Sequence, residues 1–235
     1  MSIGMKQKTA ELTRQVLRTN AVIWIGYLLL IALAGFLIAT HDKPSLHLRL
    51  NQLVGHPAID TFFYYVTYLG DGSLVAFMLL AIVVYNVRTG MMATTSFLTA
   101  TSISNLLKYT LFDDVNRPTY YFNYFDKEHP LKLVEGVSTH IHNSFPSGHA
   151  TQAFSILLCL TLMARSPLIK LLFFSLAVLA SYSRVYLSQH WLNDILAGSL
   201  IGTICCLFWY FFIQQHSRFD PLNTSLLALI KRNGH

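Results

Sequence analysis

The sequence predicts an all-α fold, an integral membrane bundle of about six transmembrane helices that carries its polar, chemistry-bearing residues at one membrane face. Three observations predict it. Hydrophobic residues make up 53% of the 235 positions and charged residues only 12%, about half the roughly 25% of an ordinary soluble domain. Uncharged apolar runs of spanning length recur along the chain. Between them, polar clusters fall at the ends of the runs and not inside them.

The runs follow in order. Ala21 to Thr40 holds no formal charge and has the roughly 20 residues that a helix needs to cross a hydrocarbon core of about 30 Å. It lacks a small-x-small cleavage signal and further runs follow it, so a retained span is the expectation and a cleaved leader the lesser reading. Ser73 to Val87 is short, but Ile59 to Leu69 precedes it, and Gly70-Asp71-Gly72 reads as a break between an interfacial aromatic helix and the span proper. Met91 to Phe112, Ser147 to Ala164, Leu168 to Leu187 and Leu192 to Ile213 complete the set. A soluble bundle would need several helices with almost no polar face toward water, which excludes it. Cys159, Cys205 and Cys206 lie within apolar runs, so they read as packing residues and not as a disulfide framework. No internal repeat divides the chain. A single domain over 1–235 is expected, with an N-terminal segment 1–20, a large loop 113–146 and a tail 214–235.

Six crossings place both termini on one side, with the turns at Arg88–Gly90 and Arg165–Pro167. That side collects Lys6, Lys8, Arg14, Arg18, Arg88, Arg165, Lys170, Arg218, Lys231 and Arg232, against Lys43, Arg49, Arg117, Lys127 and Lys132 opposite. By the positive-inside rule the termini are cytoplasmic. The net charge of +6 then reflects topology and a lipid surface, and nucleic acid is not an expected partner. Loop 113–146 and the turn Gln189-His190-Trp191 would face the periplasm or exterior. The amphipathic stretch Pro221 to Ile230 would lie on the cytoplasmic surface.

Three stretches carry the chemistry. The first is Lys108 with Arg117-Pro118, the second Ser144-Phe145-Pro146-Ser147-Gly148-His149, and the third Ser183-Arg184 followed by His190 and Asp194. His190 and Asp194 are four apart, so on a helix they would share a face and the carboxylate could hold the imidazole, leaving its other nitrogen free to attack phosphorus. Pro146 sits at a helix start, where Ser147 and Gly148 present unpaired backbone N–H groups to an anion. His149 beside them is placed to donate a proton. Lys108, Arg117 and Arg184 supply positive charge for phosphate oxygens. Each element alone has a structural reading: a cap, an interfacial ion pair, a snorkelling cation. Their convergence on one membrane face favours a site.

These stretches resemble the three signatures of the type 2 phosphatidic acid phosphatase superfamily, Lys-x6-Arg-Pro, Pro-Ser-Gly-His and Ser-Arg-x5-His-x3-Asp. Pro146-Ser147-Gly148-His149 matches the second in full, and Ser183, Arg184, His190 and Asp194 match the third at the family spacing. The resemblance implies that His190 is a nucleophile forming a phosphohistidine, Asp194 its orienting carboxylate and His149 the general acid. It implies that Lys108, Arg117, Ser147, Gly148 and Arg184 bind phosphate, and that no cofactor or metal is required. The first signature departs from the pattern: Tyr109 to Asn116 inserts two residues more than the consensus. A continuous helix would turn Lys108 by about 200° away from Arg117. Either the chain leaves the helix near Asp113-Asp114, or Lys108 does not reach the phosphate.

The expected activity is a metal-independent phosphatase of the bacterial inner membrane. Its substrate would be a lipid phosphate or diphosphate of the phosphatidylglycerophosphate, phosphatidate, undecaprenyl diphosphate or lipid A type, with membrane lipids as the other partners. Transfer of the phosphate to another lipid or sugar is the alternative and uses the same residues. His140 and His142, with Asp113 and Asp114, offer metal-ligand types at undiagnostic spacing and read first as a solvated loop, then as a substrate contact and last as a metal site. Tyr120 to Phe125 reads as an interfacial anchor or as a groove for an acyl or prenyl chain.

Overall fold

A computed structural model describes residues 3–233. Among them every regular element is helical. An amphipathic α1 (Ile3–Thr19) leads into α2 (Ala21–Thr40), followed by short helices α3 (Lys43–Leu50) and α4 (Pro57–Val66). A 3₁₀ turn at Thr67–Gly70 connects α4 to α5 (Gly72–Tyr85), which is succeeded by α6 (Val87–Thr110) and a short α7 (Pro118–Tyr124) in the large loop. Then come α8 (Gly148–Met163), α9 (Pro167–Tyr186) and α10 (Leu192–Gln215), a 3₁₀ turn at Ser217–Leu222 and a terminal α11 (Leu226–Asn233).

Three helices, α2, α9 and α10, are long and apolar enough to cross a membrane, and the bent pair Pro57–Gly70 with Gly72–Tyr85 makes a fourth if it counts as one span. The other two expected spans are helices at the expected places but differ in kind. At 16 residues, α8 reaches only about 24 Å. The 24 residues of α6 are rich in serine and threonine, whose hydroxyls bond back to carbonyls a turn earlier, as Thr95 Oγ1 does to Met91 O at 2.8 Å.

The break at Gly70-Asp71-Gly72 is present as a 59° bend. Asp71 caps α5 by accepting from Ser73 N at 2.9 Å. The turn expected at Arg88–Gly90 is instead the first turn of α6, and Asn86 alone links the two helices. Its side chain accepts from Thr89 N at 2.9 Å and Thr89 Oγ1 at 3.0 Å, a cap strong enough to start α6 at once. Cys159, Cys205 and Cys206 are free and buried; the sulfurs of Cys159 and Cys206 lie 3.0 Å apart where α8 crosses α10.

The centre of the bundle is the contact of α8 with α10, which run parallel because α9 reverses the chain between them. It is close because α10 presents glycines there: a Cβ on Gly198 would stand 2.5 Å from Ser147 O, and one on Gly202 would stand 2.5 Å from Thr151 O. Small residues four apart let helix backbones touch where lipid provides no hydrophobic drive. By contrast α2 buries only Ile23 and Tyr27 and is tied on by Tyr27, whose hydroxyl donates to Ser199 Oγ at 3.0 Å. Gly202→Leu should therefore cost about 1–3 kcal/mol by overpacking, read as a lower unfolding midpoint in detergent. Gly35→Leu on α2, where nothing lies within 4 Å of the new Cβ, should leave the midpoint unchanged.

Candidate active site

The three sequence stretches meet at one end of the bundle, and Asp194 joins them. Its main-chain oxygen accepts from Ser147 N at 3.0 Å, fixing the start of α8. Its carboxylate Oδ2 accepts from Ser144 Oγ at 2.5 Å and from Trp191 N at 3.0 Å, and meets His190 Nδ1 at 3.4 Å. Asp194 and His190 are almost fully buried, at 1% and 2% exposure.

His190 lies in the tight connection between α9 and α10. That turn is made by the carbonyl of Arg184, which accepts from both Gln189 N at 2.9 Å and His190 N at 3.0 Å, and by Ser188 in the left-handed region at φ 53°. A non-glycine residue held there signals a backbone over-determined by its surroundings. The support comes from α3 and the residue that caps it: Asn51 Nδ2 donates to Ser188 Oγ at 2.7 Å, and His47 Nε2 lies 3.3 Å from the same oxygen. Burial pushes His47 down to about 3, so its ring is neutral against Trp191, 5.2 Å away between centroids.

Three buried cations surround His190. Arg117 is spread over main-chain oxygens, donating from Nε to His142 O at 2.8 Å and from Nη1 to Gln189 O at 3.0 Å. Arg184 donates to Thr67 Oγ1 at 2.7 Å. Lys108 is buried at 7% exposure and makes no hydrogen bond or ion pair among the described residues. None of the three is paired with a carboxylate within ion-pair distance. Burial, and then the charges of Arg117, Arg184 and Lys108, hold the His190 imidazole well below its ordinary range, with a hydrogen bond to the Ser144 backbone acting the other way. His190 is therefore neutral at pH 7 in the free protein.

The extra residues of the first stretch are absorbed as the geometry requires. The last helical residue of α6 is Thr110 and Arg117 caps α7, so the chain leaves the helix before Asp113, and Lys108 and Arg117 both act on His190. Arg117 N donates to Ile141 O at 2.9 Å, Ser144 N to Val115 O at 2.8 Å, and Trp191 Nε1 to Asn116 O at 2.8 Å. These bonds stitch the first stretch to the other two.

At the start of α8, Ser147 is more committed than its sequence position implies. Its N–H is taken by Asp194 and its hydroxyl accepts from Ala150 N at 3.4 Å. Gly148 and His149 follow, with the unpaired N–H groups of any first helical turn, and a Cβ on Gly148 would meet open space. His149 is partly exposed beside it.

Several contributors were not singled out from sequence. Gly70 read only as a helix break, yet a Cβ there would stand 2.6 Å from His149 O, so the 3₁₀ turn presses directly on the start of α8. Thr67 gave no signal at all. Ser144 and Gln189 lay inside the quoted stretches without a role. His140 lies near the three cations, which with burial hold it below the ordinary imidazole range. His142 turns away to Asn116 Oδ1 at 2.8 Å, and among the described residues no group of three or more potential metal ligands converges. The aromatic run divides: Phe122 is buried near Trp191, whereas Tyr124 and Phe125 are exposed.

An all-helical membrane protein with a neutral histidine set on a carboxylate under three cations has the design of a phosphatase. The chain belongs to the PAP2 superfamily, whose sequence profile matches residues 89–218. It is 27% identical over 171 residues to a lipid A 4'-phosphatase of Porphyromonas gingivalis, covering 71% of this chain and 70% of that protein. It is 35% identical over 117 residues to an undecaprenyl-diphosphatase of Sulfolobus acidocaldarius, covering 49% of this chain and about half, 51%, of the relative. The crystal structure of Aquifex aeolicus LpxE superposes with a TM-score of 0.61 at 25% identity, covering 74% of this chain and 98% of that one.

Gly70→Ala, whose Cβ would stand 2.6 Å from His149 O, should displace His149 and lower kcat by about 100-fold, the scale expected of an ångström of misplacement, together with a lower unfolding midpoint from the backbone clash. The depressed His190 imidazole sets a pH expectation. Its pKa lies below 6.5, so it becomes protonated only under acid conditions. The acid limb of kcat/KM that belongs to His190 should therefore lie well below pH 6.5 in a pH–rate profile.

Proposed function

We propose that the chain is a membrane lipid phosphatase that hydrolyses a phosphate monoester or diphosphate on a lipid through a phosphohistidine at His190. The observation that carries this is the neutral, buried His190 backed by Asp194 beneath three cations that have no carboxylate of their own. With Nδ1–H directed to Asp194, Nε2 attacks phosphorus. Asp194 orients the ring and steadies the imidazolium that forms. Lys108, Arg117 and Arg184 neutralise charge on the phosphoryl oxygens, while Ser147 and the free N–H of Gly148 hold the same group at the positive end of α8. His149 gives its proton to the leaving oxygen, then takes one from the water that cleaves the P–N bond and returns His190.

The substrate class follows from location. On this reading the chain is one domain with six crossings formed by α2, α5, α6, α8, α9 and α10. The termini and tail 214–235 lie in the cytoplasm, and loop 113–146 faces the periplasm of a bacterial inner membrane. The cation distribution supports that orientation. The site then stands at the outer headgroup level, where the phosphate of a lipid meets Arg117 and Arg184 while its chain stays between helices. The names of the relatives support lipid phosphates of the lipid A or undecaprenyl diphosphate kind; phosphatidate and phosphatidylglycerophosphate belong to the same proposed class by their chemistry.

His190→Asn should abolish phosphate release, leaving under about one hundredth of the wild-type rate, with the unfolding midpoint kept. Activity should survive EDTA and be inhibited by vanadate, which adopts the five-coordinate geometry of phosphoryl transfer. A panel of lipid A, undecaprenyl diphosphate, phosphatidate and phosphatidylglycerophosphate, run against glucose 6-phosphate, tests the substrate class. At least one lipid should exceed the soluble ester in kcat/KM, because binding energy from the chain positions the phosphate. Equal or better turnover of glucose 6-phosphate would remove the lipid claim.

A further inference from the structure

We propose a second anion site, a cavity of about 840 Å³ at the end of the bundle opposite His190, which takes the anionic head of a phospholipid. The cavity opens between the α5–α6 junction and the α8–α9 turn. Its polar rim is Arg165, Ser166, Asn86, Thr89 and Asn223, and no carboxylate lines it. Apolar side chains, Ile82, Leu160, Ile169 and Phe173 among them, form its walls. A cationic polar rim over apolar walls fits an amphiphile with a negative head.

The electrostatics of the rim point the same way. Three other basic side chains at this end are already engaged, and Arg14, Arg18, Lys231 and Arg232 are exposed and do not line the cavity. Arg88 pairs with Asp220 at 3.0 Å and donates to Ile213 O at 3.2 Å. Lys170 donates to Asn20 Oδ1 at 2.6 Å, and Lys8 to Gln215 O at 2.8 Å. Arg165 has no hydrogen-bond or ion-pair partner among the described residues. Beside it begins α9, 20 residues long and without an acidic residue in its first turn. Ser166 makes no side-chain cap, and Pro167 supplies no N–H, so the N–H groups of Leu168 and Ile169 are left unpaired by the helix. They add partial positive charge next to the guanidinium. The first turn of α6 also reaches the rim, though its N–H groups at Val87 and Thr89 are taken by Thr224 O and Asn86 Oδ1.

The tail closes one side. Asn86 Nδ2 donates to Asn223 Oδ1 at 2.9 Å, which holds Asn223 in the cavity lining. A free phosphate ion would satisfy the rim but not the walls, so the occupant is a lipid headgroup with its chains against Ile169 and Phe173. The site is independent of the phosphatase chemistry, and no residue of it belongs to the catalytic machinery.

The test is the unfolding midpoint of the detergent-purified full chain with phosphatidylglycerol, phosphatidylcholine or inorganic phosphate added. Phosphatidylglycerol should raise it by about 5 °C at saturating lipid, with little effect from the other two. Arg165→Glu should remove that shift. Ile169→Trp, which narrows the cavity without changing charge, should also remove it, and it serves where the charge reversal unfolds the protein. Equal stabilisation by phosphatidylcholine, equal stabilisation by inorganic phosphate, or a shift that persists in a folded variant of either kind would overturn the proposal.

Discussion

The site depends on one residue at a helix start. Asp194 is the third residue of α10, and through two of its oxygens it holds two pieces of chain, 144–147 and 190–191. Its main-chain oxygen fixes Ser147, and its Oδ2 gathers Ser144, the Trp191 N–H and the His190 ring. A negative group in the first turn of a helix is stabilised by the unpaired N–H groups there, so the position suits its charge before any partner arrives. Because Asp194, whose carboxylate meets His190, also anchors the segment leading into α8, the His190 ring and the start of α8 share one reference point. A shift in either would be felt by the other.

That arrangement needs close helices, and glycine provides the closeness. The contacts of Gly198 and Gly202 with main-chain oxygens of α8 let Ser147 come within hydrogen-bond reach of Asp194. Gly70 presses on His149 from the other side. The cations are the opposite case, since Lys108, Arg117 and Arg184 are buried together without a carboxylate to neutralise them. Arg117 is offset by main-chain oxygens of loop 113–146 and of the α9–α10 turn, Arg184 by a single hydroxyl, and Lys108 by no hydrogen bond among the described residues. Burying like charges together without counter-charges is costly, and on the proposed function an anionic phosphate would offset that cost.

Much of this was legible in the sequence, for identifiable reasons. Uncharged runs marked the helices, and α2 falls at Ala21–Thr40 as read. The i,i+4 spacing of His190 and Asp194 survives because Asp194 is helical and His190 is held just before the helix by the turn. The two inserted residues before Arg117 could be judged only as a condition on where α6 ends, and the structure meets it at Thr110. What escaped were contacts between distant segments. Gly70 announces a break but not that the break lies on His149, and the bond from Thr67 to Arg184 crosses 117 positions. Asn51 and His47 support Ser188 through a left-handed turn that nothing in a serine foretells. The α5–α6 link was misplaced because Arg88 read as a loop cation, whereas its neighbour Asn86 is a cap that starts the helix.

The up-and-down order of the helices assigns charge to both ends of the molecule. Lys108 lies in the last turn of α6 and Arg184 in the last turn of α9, where carbonyls leave partial negative charge and a cation is favoured. Gly148 and Asp194 lie in the first turns of α8 and α10, where partial positive charge favours a phosphate and a carboxylate respectively. Lys108, Arg184 and Asp194 thus stand at helix ends whose dipoles suit them, whereas Arg117, at the start of the short α7, is held by main-chain oxygens instead. Reversing direction along α6 and α9 carries the same logic to the far end of the bundle. There the two helices begin, neither has an acidic residue in its first turn, and Arg165 precedes α9. The alternation that seats cations around His190 therefore also brings two helix starts to the opposite cavity, the end at which the second anion site is proposed.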